Sequence, residues 1–214
     1  MTSADGRVVR GERTRAAVLR RAADVASIEG LEGLSIGRLA ADLSVSKAGV
    51  FAHFGSKEEL QLATVRAAAE RFADTVVAPV LDVPDGLDRL VALSDRWLEY
   101  SRSRVFPGGC FFFSVAAEFD ARPGRVRDEI AGARRRWLGL YEAVIAAAQR
   151  QGDLDPAVDP AALAFELDAL GMAANLHAQL CDDPAVHDRV RAAMLARLRA
   201  LATSDHPALA AEAP

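Results

Sequence analysis

Residues 35 to 60 hold the side chains whose types and spacing suit a definite chemical task. Both lysines of the chain, Lys47 and Lys57, fall in this stretch. Lys47 follows Ser46 and precedes Ala48 and Gly49, and Phe51 and His53 come within the next turn and a half. A cation at the first turn of a short helix, followed by residues too small to obstruct approach, can reach phosphates and base edges in a DNA major groove. Ala48 and Gly49 permit close approach and contact with a thymine methyl. Phe51 and His53 lie further along, placed to press on the sugar–phosphate wall. Lys57 opens the next helical pattern, where a helix end already favours anions. Thr14 and Arg15, near the start of an earlier helix, Arg38, in the second, and Ser46, at the head of the third, complete the candidate nucleic-acid contacts.

These side chains need rigid helices behind them, and apolar spacing predicts helices almost everywhere. The first runs from about Arg13 to Glu29, with Val18, Ala22, Val25 and Ile28 on its buried stripe and Gly30 ending it. Ser35 caps a short second helix carrying Ile36, Leu39, Ala40 and Leu43. Ser44-Val45 makes the turn, and Ser46 caps a third helix whose Val50 and Phe54 point inward. Ser56 and Glu59 have capping-box spacing, opening a fourth helix that reaches roughly Val80. Two short helices joined by such a turn form a helix-turn-helix. Beyond it, helices are expected over about 87–104, 111–118 and from after Gly124 to about Gln151.

The last two helices carry a second message. Between Ala161 and Cys181 there is no Arg or Lys, and only Glu166 and Asp168 are acidic. Leu163, Leu167, Leu170 and Ala174 make one apolar face, and Phe165, Ala169, Met172, Leu176 and Leu180 another. A helix apolar on two faces must be covered on both. Val186, Val190, Ala193, Met194 and Leu201 stripe the final helix. Two such helices from each of two chains would form a four-helix dimer interface.

The chain has 214 residues and a net charge of −4. Residues 1–58 carry nine basic and seven acidic side chains, a net +2, against 17 and 23 in the remainder, a net −6. A basic head on an acidic body suits contact with phosphate at one end only. No apolar run approaches the roughly 20 residues that span a bilayer, and the polar N-terminus has no signal-peptide core, so a cytoplasmic location is expected. Cys110 and Cys181 are too few and too far apart for a disulfide framework or a zinc site, and read as small buried side chains. No Ser/His/Asp order, metal spacing, P-loop or dinucleotide fingerprint occurs, and the four histidines are scattered, so neither an enzyme nor a cofactor is expected.

Residues 13–60 resemble the N-terminal domain of TetR-family transcriptional regulators. The resemblance rests on Thr14-Arg15, the loop at Gly30, Leu39-Ala40, Val45-Ser46-Lys47, Phe51, His53-Phe54 and Ser56-Lys57-Glu58-Glu59-Leu60. It implies an all-α chain of about nine helices: a disordered arm over 1–10, a DNA-binding domain over 11–58, a helical ligand-binding and dimerisation domain over 59–204, and a flexible tail over 205–214. It further implies a homodimeric repressor of a palindromic operator, released by a small-molecule effector. Phe51 departs from the family's usual tyrosine and lacks its hydroxyl. Gly37 stands where the family often has a polar or basic reader. With few direct base contacts left, specificity is expected to come largely from DNA shape.

Aromatics cluster in the middle of the chain. The resemblance puts an effector pocket among the fifth, seventh and eighth helices, with Trp97, Tyr100, Phe113, Trp137, Tyr141, Phe165 and Met172 as lining candidates. Asn175 and His177 would supply hydrogen bonds, with His177 equally suited to the dimer interface. The alternative reading is a helix-turn-helix protein without small-molecule gating.

Overall fold

The computed structural model describes residues 3–210, with side-chain surroundings from Val9 onward. Helices are the only repeating secondary structure among the described residues. The chain divides into two compact units: residues 1–71 with 106–132, and residues 72–105 with 133–214.

The first unit is built on α1 (Ser3–Glu29), which begins ten residues before the expected start at Arg13. The described part of the expected arm, Ser3–Arg10, is thus helical: no Pro interrupts it, and the helix runs through Gly6 and Gly11 into the Ala- and Arg-rich run that follows; residues 1–2 lie outside the described residues. Val18, Ala22 and Val25 are buried with Leu19, Ala23 and Ala26, whereas Ile28 is 64% exposed. The buried stripe has turned toward Leu19, Ala23 and Ala26, and the next residue it takes in is Ser27 rather than Ile28. Gly30, at φ +76°, ends the helix.

α2 (Ile36–Asp42) and α3 (Lys47–Phe54) are separated by a tight turn in which Ser44 has φ +53°. The Ser35 and Ser46 hydroxyls accept from the amides of Arg38 and Gly49, so each helix has its side-chain cap. Leu39, Ala40, Val50 and Phe54 form the shared core. α4 (Lys57–Phe72) opens on Ser56, whose hydroxyl accepts from Glu59 N at 3.1 Å. The Glu59 carboxylate turns instead to Arg125 Nη1 at 2.6 Å. A π-helical stretch (Ala73–Val77) and a 3-10 turn (Ala78–Val80) carry the chain on from α4, since Pro79 cannot continue an α-helix.

The first unit reaches further along the chain than residue 58 because two later segments dock on it. α5 (Leu87–Arg102) belongs to the second unit, but α6 (Phe111–Phe119) lies along α1. Ser114 Oγ donates to Ser27 O (2.9 Å) and Gly108 N to Ser27 Oγ (3.0 Å). Glu118 accepts from the amides of Leu31 (2.6 Å) and Glu32 (2.9 Å), one on each carboxylate oxygen. The opening turns of α7 (Arg125–Gln151) are tied to α4 through Arg125 and through Glu129, which accepts from Arg66 at 2.9 Å. Contacts between residues this far apart leave no periodic trace in the sequence.

In the second unit α5, the later part of α7, α8 (Pro160–Leu180) and α9 (Val186–Leu201) share one core. Asp159 caps α8, with Pro160 in its first turn. Leu163, Leu167 and Ala174 of α8 are buried, while Phe165 (62% exposed), Leu176 (46%) and Leu180 (76%) form an uncovered stripe. On α9 Val186 and Met194 of the expected stripe are buried, whereas Ala193 is exposed with Ala192 and Ala196. A further short helix, α10 (Pro207–Ala210), buries Leu209, whose carbonyl accepts from Arg199 Nε at 2.9 Å. The expected flexible tail is therefore held down as far as Ala210, and residues 211–214 lie outside the described residues. Cys110 is buried as expected, but Cys181, just past the end of α8, is exposed. No helix among the described residues is long and apolar enough to cross a membrane.

Candidate functional site

The head presents α3 with one side sealed and the other open. Val50 and Phe54 anchor it, leaving Ser46, Lys47, Ala48 and Phe51 exposed and Gly49 and His53 half-buried. Gly49 serves the cap: a Cβ there would stand 2.9 Å from Ser46 Oγ, too close for the hydroxyl to keep its bond to Gly49 N. The Lys47 stem lies beside α2, its Cε 4.0 Å from where a Gly37 Cβ would be. The glycine in place of a reader thus leaves that flank clear for the lysine. Phe51 is 54% exposed, a large apolar side chain held in water at the middle of the helix.

The cations around α3 divide into two groups. Lys47 makes no hydrogen bond or ion pair among the described residues and is available to a ligand. Arg15 reaches over the Phe54 ring, its Cζ 5.6 Å from the centroid, which sets α1 beside the end of α3. Arg38 and Lys57 are already engaged. Arg38 forms a bidentate pair with Glu29, with Nη2 to Oε1 at 2.8 Å. Lys57 Nζ donates to the carbonyl of Glu32 (2.7 Å) and to its carboxylate (3.0 Å). The Glu29 carboxyl is held below its ordinary range chiefly by the Arg38 hydrogen bonds, and that of Glu32 chiefly by Gln61, then Lys57. The Thr14 hydroxyl bonds back to Arg10 O at 3.0 Å. His53 meets Phe54 edge-on, with centroids 6.2 Å apart.

Six of the nine residues expected to line an effector pocket are buried or half-buried in the second unit. Trp137 packs edge-on against Tyr141 (4.8 Å) and Phe72 (4.9 Å), and Phe72 against Tyr100 (5.1 Å). The Trp97 ring lies directly on Gly171, where any Cβ would overlap the indole. Tyr141 is fully buried with its hydroxyl 3.2 Å from Ser94 Oγ, and burial pushes the phenol above its ordinary range. Asn175 is buried in a relay that joins three helices: its Oδ1 accepts from Ser101 Oγ (3.2 Å), which lies 3.0 Å from His187 Nε2. Met172 is half-buried.

Three candidates fall elsewhere. Phe165 and His177 are on the exposed side of α8, where His177 pairs with Asp183 at 3.3 Å. Alternation of two apolar faces on one helix does not say which face is the inner one. Phe113 is on α6, in the first unit.

Sequence reading missed the polar centre of this interior. Asp168 has a side chain only 2% exposed and accepts from both terminal nitrogens of Arg134 and from Trp137 Nε1 at 3.0 Å. Its signal was an acidic residue on a helix otherwise almost free of charge, but its partners lie 31 and 34 residues away. No group of His, Cys, Asp and Glu among the described residues is arranged to hold a metal ion.

Comparison with known proteins agrees with this geometry. Residues 18–64 match the family described as bacterial regulatory proteins, tetR family, and residues 86–194 match the tetracyclin repressor-like C-terminal domain. A TetR transcriptional regulator from Chloroflexus aurantiacus is 23% identical, with 90% of this chain and 98% of that one covered and a TM-score of 0.84. A putative transcriptional regulator from Saccharomonospora viridis, solved in complex with choline, is 23% identical over 90% of this chain and 99% of its own, with a TM-score of 0.74. AibR, solved with isovaleryl coenzyme A and operator DNA, is 23% identical over 88% and 97%, with a TM-score of 0.67. Comparison with curated protein sequences gave no match. With a capped helix-turn-helix matching over residues 18–64 and the C-terminal domain matching over residues 86–194, the chain belongs to the TetR family of transcriptional regulators, and its N-terminal domain is the DNA-binding one.

Proposed function

We propose that this regulator is a homodimeric repressor that holds a palindromic operator and leaves it when a small molecule enters the C-terminal domain. The observation that carries the DNA half of this reading is the open face of α3. A lysine with no polar partner among the described residues, two small residues and an exposed Phe51 line it, while Val50 and Phe54 fix the helix from behind. Lys47 is assigned to phosphate or base contact, Ala48 and Gly49 to close approach, and Phe51 and His53 to the groove wall. Arg15, Thr14, Arg38 and Lys57 are assigned to the flanking backbone.

The dimer half rests on the uncovered stripe of Phe165, Leu176 and Leu180 beside the exposed alanines of α9. An apolar stripe of this size on two adjacent helices favours a self-complementary, two-fold interface. Two heads so joined would read half-sites about 34–36 Å apart. Effector gating draws support from two proteins of the same fold, one bound to choline and the other to isovaleryl coenzyme A with operator DNA.

A second reading, a regulator without an effector, is favoured by the way the interior rings fill one another's space. A thermal-shift panel of metabolites separates the two: compounds that raise the midpoint and release DNA support gating. Selection of bound duplexes from a random pool tests the first half, with a two-fold symmetric motif expected. Enrichment of no motif would overturn the operator assignment.

A further inference from the structure

We propose that Glu32 is a competitor built into the DNA-binding head, an internal carboxylate that holds Lys57 and that DNA phosphate must displace. This rests on the reading above, in which Lys57 faces the DNA backbone. The ammonium has three N–H donors, and two of them are taken by one residue, at 2.7 Å by the Glu32 carbonyl and at 3.0 Å by its carboxylate. The competitor is itself held in place. Gln61 Nε2 donates to the other Glu32 oxygen and to Leu31 O, both at 3.0 Å. The backbone beneath it is fixed by Glu118, which receives the amides of Leu31 and Glu32. With one oxygen held by Gln61 and the backbone beneath it held by Glu118, this carboxylate stays beside the ammonium, where a free surface carboxylate would wander.

The exchange is cheap enough to occur. The Lys57 and Glu32 side chains are 47% and 50% exposed, and pairs of such exposure are weak. Phosphate therefore wins the ammonium but gains less than it would from a free lysine, because Glu32 remains nearby with its charge uncompensated. The Arg38–Glu29 pair repeats the arrangement on α2, with side chains 41% and 40% exposed. The head thus carries two cations whose contribution to DNA affinity is held down by carboxylates at the end of α1 and in the loop after it. A regulator that has to let go of its operator gains from such restraint.

The test uses the full-length protein and a fluorescein-labelled duplex of arbitrary sequence, read by anisotropy from about 50 to 300 mM salt. Glu32→Gln keeps the size of the side chain and an oxygen for Gln61, and removes the charge. We expect it to tighten binding about 2- to 5-fold and to steepen the salt dependence by up to about 0.9 of a counterion. In a Lys57→Ala background the same change is expected to have little effect. Unchanged or weakened binding by Glu32→Gln, with its melting midpoint retained, would overturn the proposal and make Glu32 a positioning residue for Lys57. So would an equal gain in the Lys57→Ala background, which would be a general effect of charge. If the parent protein shows no salt-sensitive binding at all, the reading of the head falls, and this inference with it.

Discussion

At the scale of single residues, availability separates side chains of the same type. Lys47 and Lys57 differ in what already occupies them: one has no polar partner among the described residues and the other is held by Glu32. Lys47→Ala should therefore weaken binding across DNA sequences and lower the salt slope by about one, read by anisotropy at several salt concentrations. In the interior, Asp168 keeps Arg134 and Trp137 in place. Asp168→Ala should cost about 2 kcal/mol in urea unfolding, less than a fully buried pair because Arg134 retains 35% exposure and can recruit water. Gly171→Ala should cost about 1–3 kcal/mol by the same measurement, since the added methyl meets the Trp97 ring and no flexible chain end can yield.

Elements show why the head unit includes more of the chain than its motif. α6 is a nine-residue helix with an apolar sequence, and it is bound to α1 by polar links that no apolar pattern announces. The Glu118 carboxylate spans two successive amides of the loop between α1 and α2, a loop whose other groups are engaged by Lys57 and Gln61 of α4. Glu118→Ala would strip partners from Leu31 and Glu32. A loss of about 1–3 kcal/mol in unfolding free energy is expected, with Glu118→Gln losing less because one acceptor oxygen survives. Equal stability of all three proteins in urea would show that water replaces the carboxylate without cost.

For the whole molecule, pH and association are the informative variables. Glu29, Glu32 and Asp183 have carboxyls held below their ordinary values by Arg38, by Gln61 and Lys57, and by Arg189 respectively. A lowered folded-state value means that their stabilisation is complete above the ordinary carboxylate value, 4.5 for the glutamates and 3.8 for Asp183, and is lost as pH falls through the lowered one. Tyr141 has the opposite sense: burial raises its phenol, so its contribution is complete below 10.0 and lost as pH rises beyond it. The melting midpoint should stay level between these limits and fall on both sides, with Tyr141→Phe removing part of the alkaline fall. Leu180 is 76% exposed in the single chain, so Leu180→Glu should leave chain stability almost unchanged. If α8 seats a second copy, the variant should sediment as a monomer; a dimer of unchanged strength would place the interface elsewhere.

The all-α class, the caps at Ser35 and Ser46, the turn at Ser44 and the inward Val50 and Phe54 were all legible in the residues themselves. Each follows from contacts within a few positions of the chain, and local spacing specifies local geometry. Two apolar faces on α8 were legible too, but which one lies inward was not. Phe165 proved to be outside and Leu163 inside because the rest of the core, not the helix, selects the face. The partners of Asp168, the docking of α6 on α1 and the capture of Arg38 and Lys57 by Glu29 and Glu32 belonged to the tertiary structure alone. Ion pairs and buried hydrogen bonds join residues whose separation along the chain carries no information, so only the folded backbone decides which charge meets which.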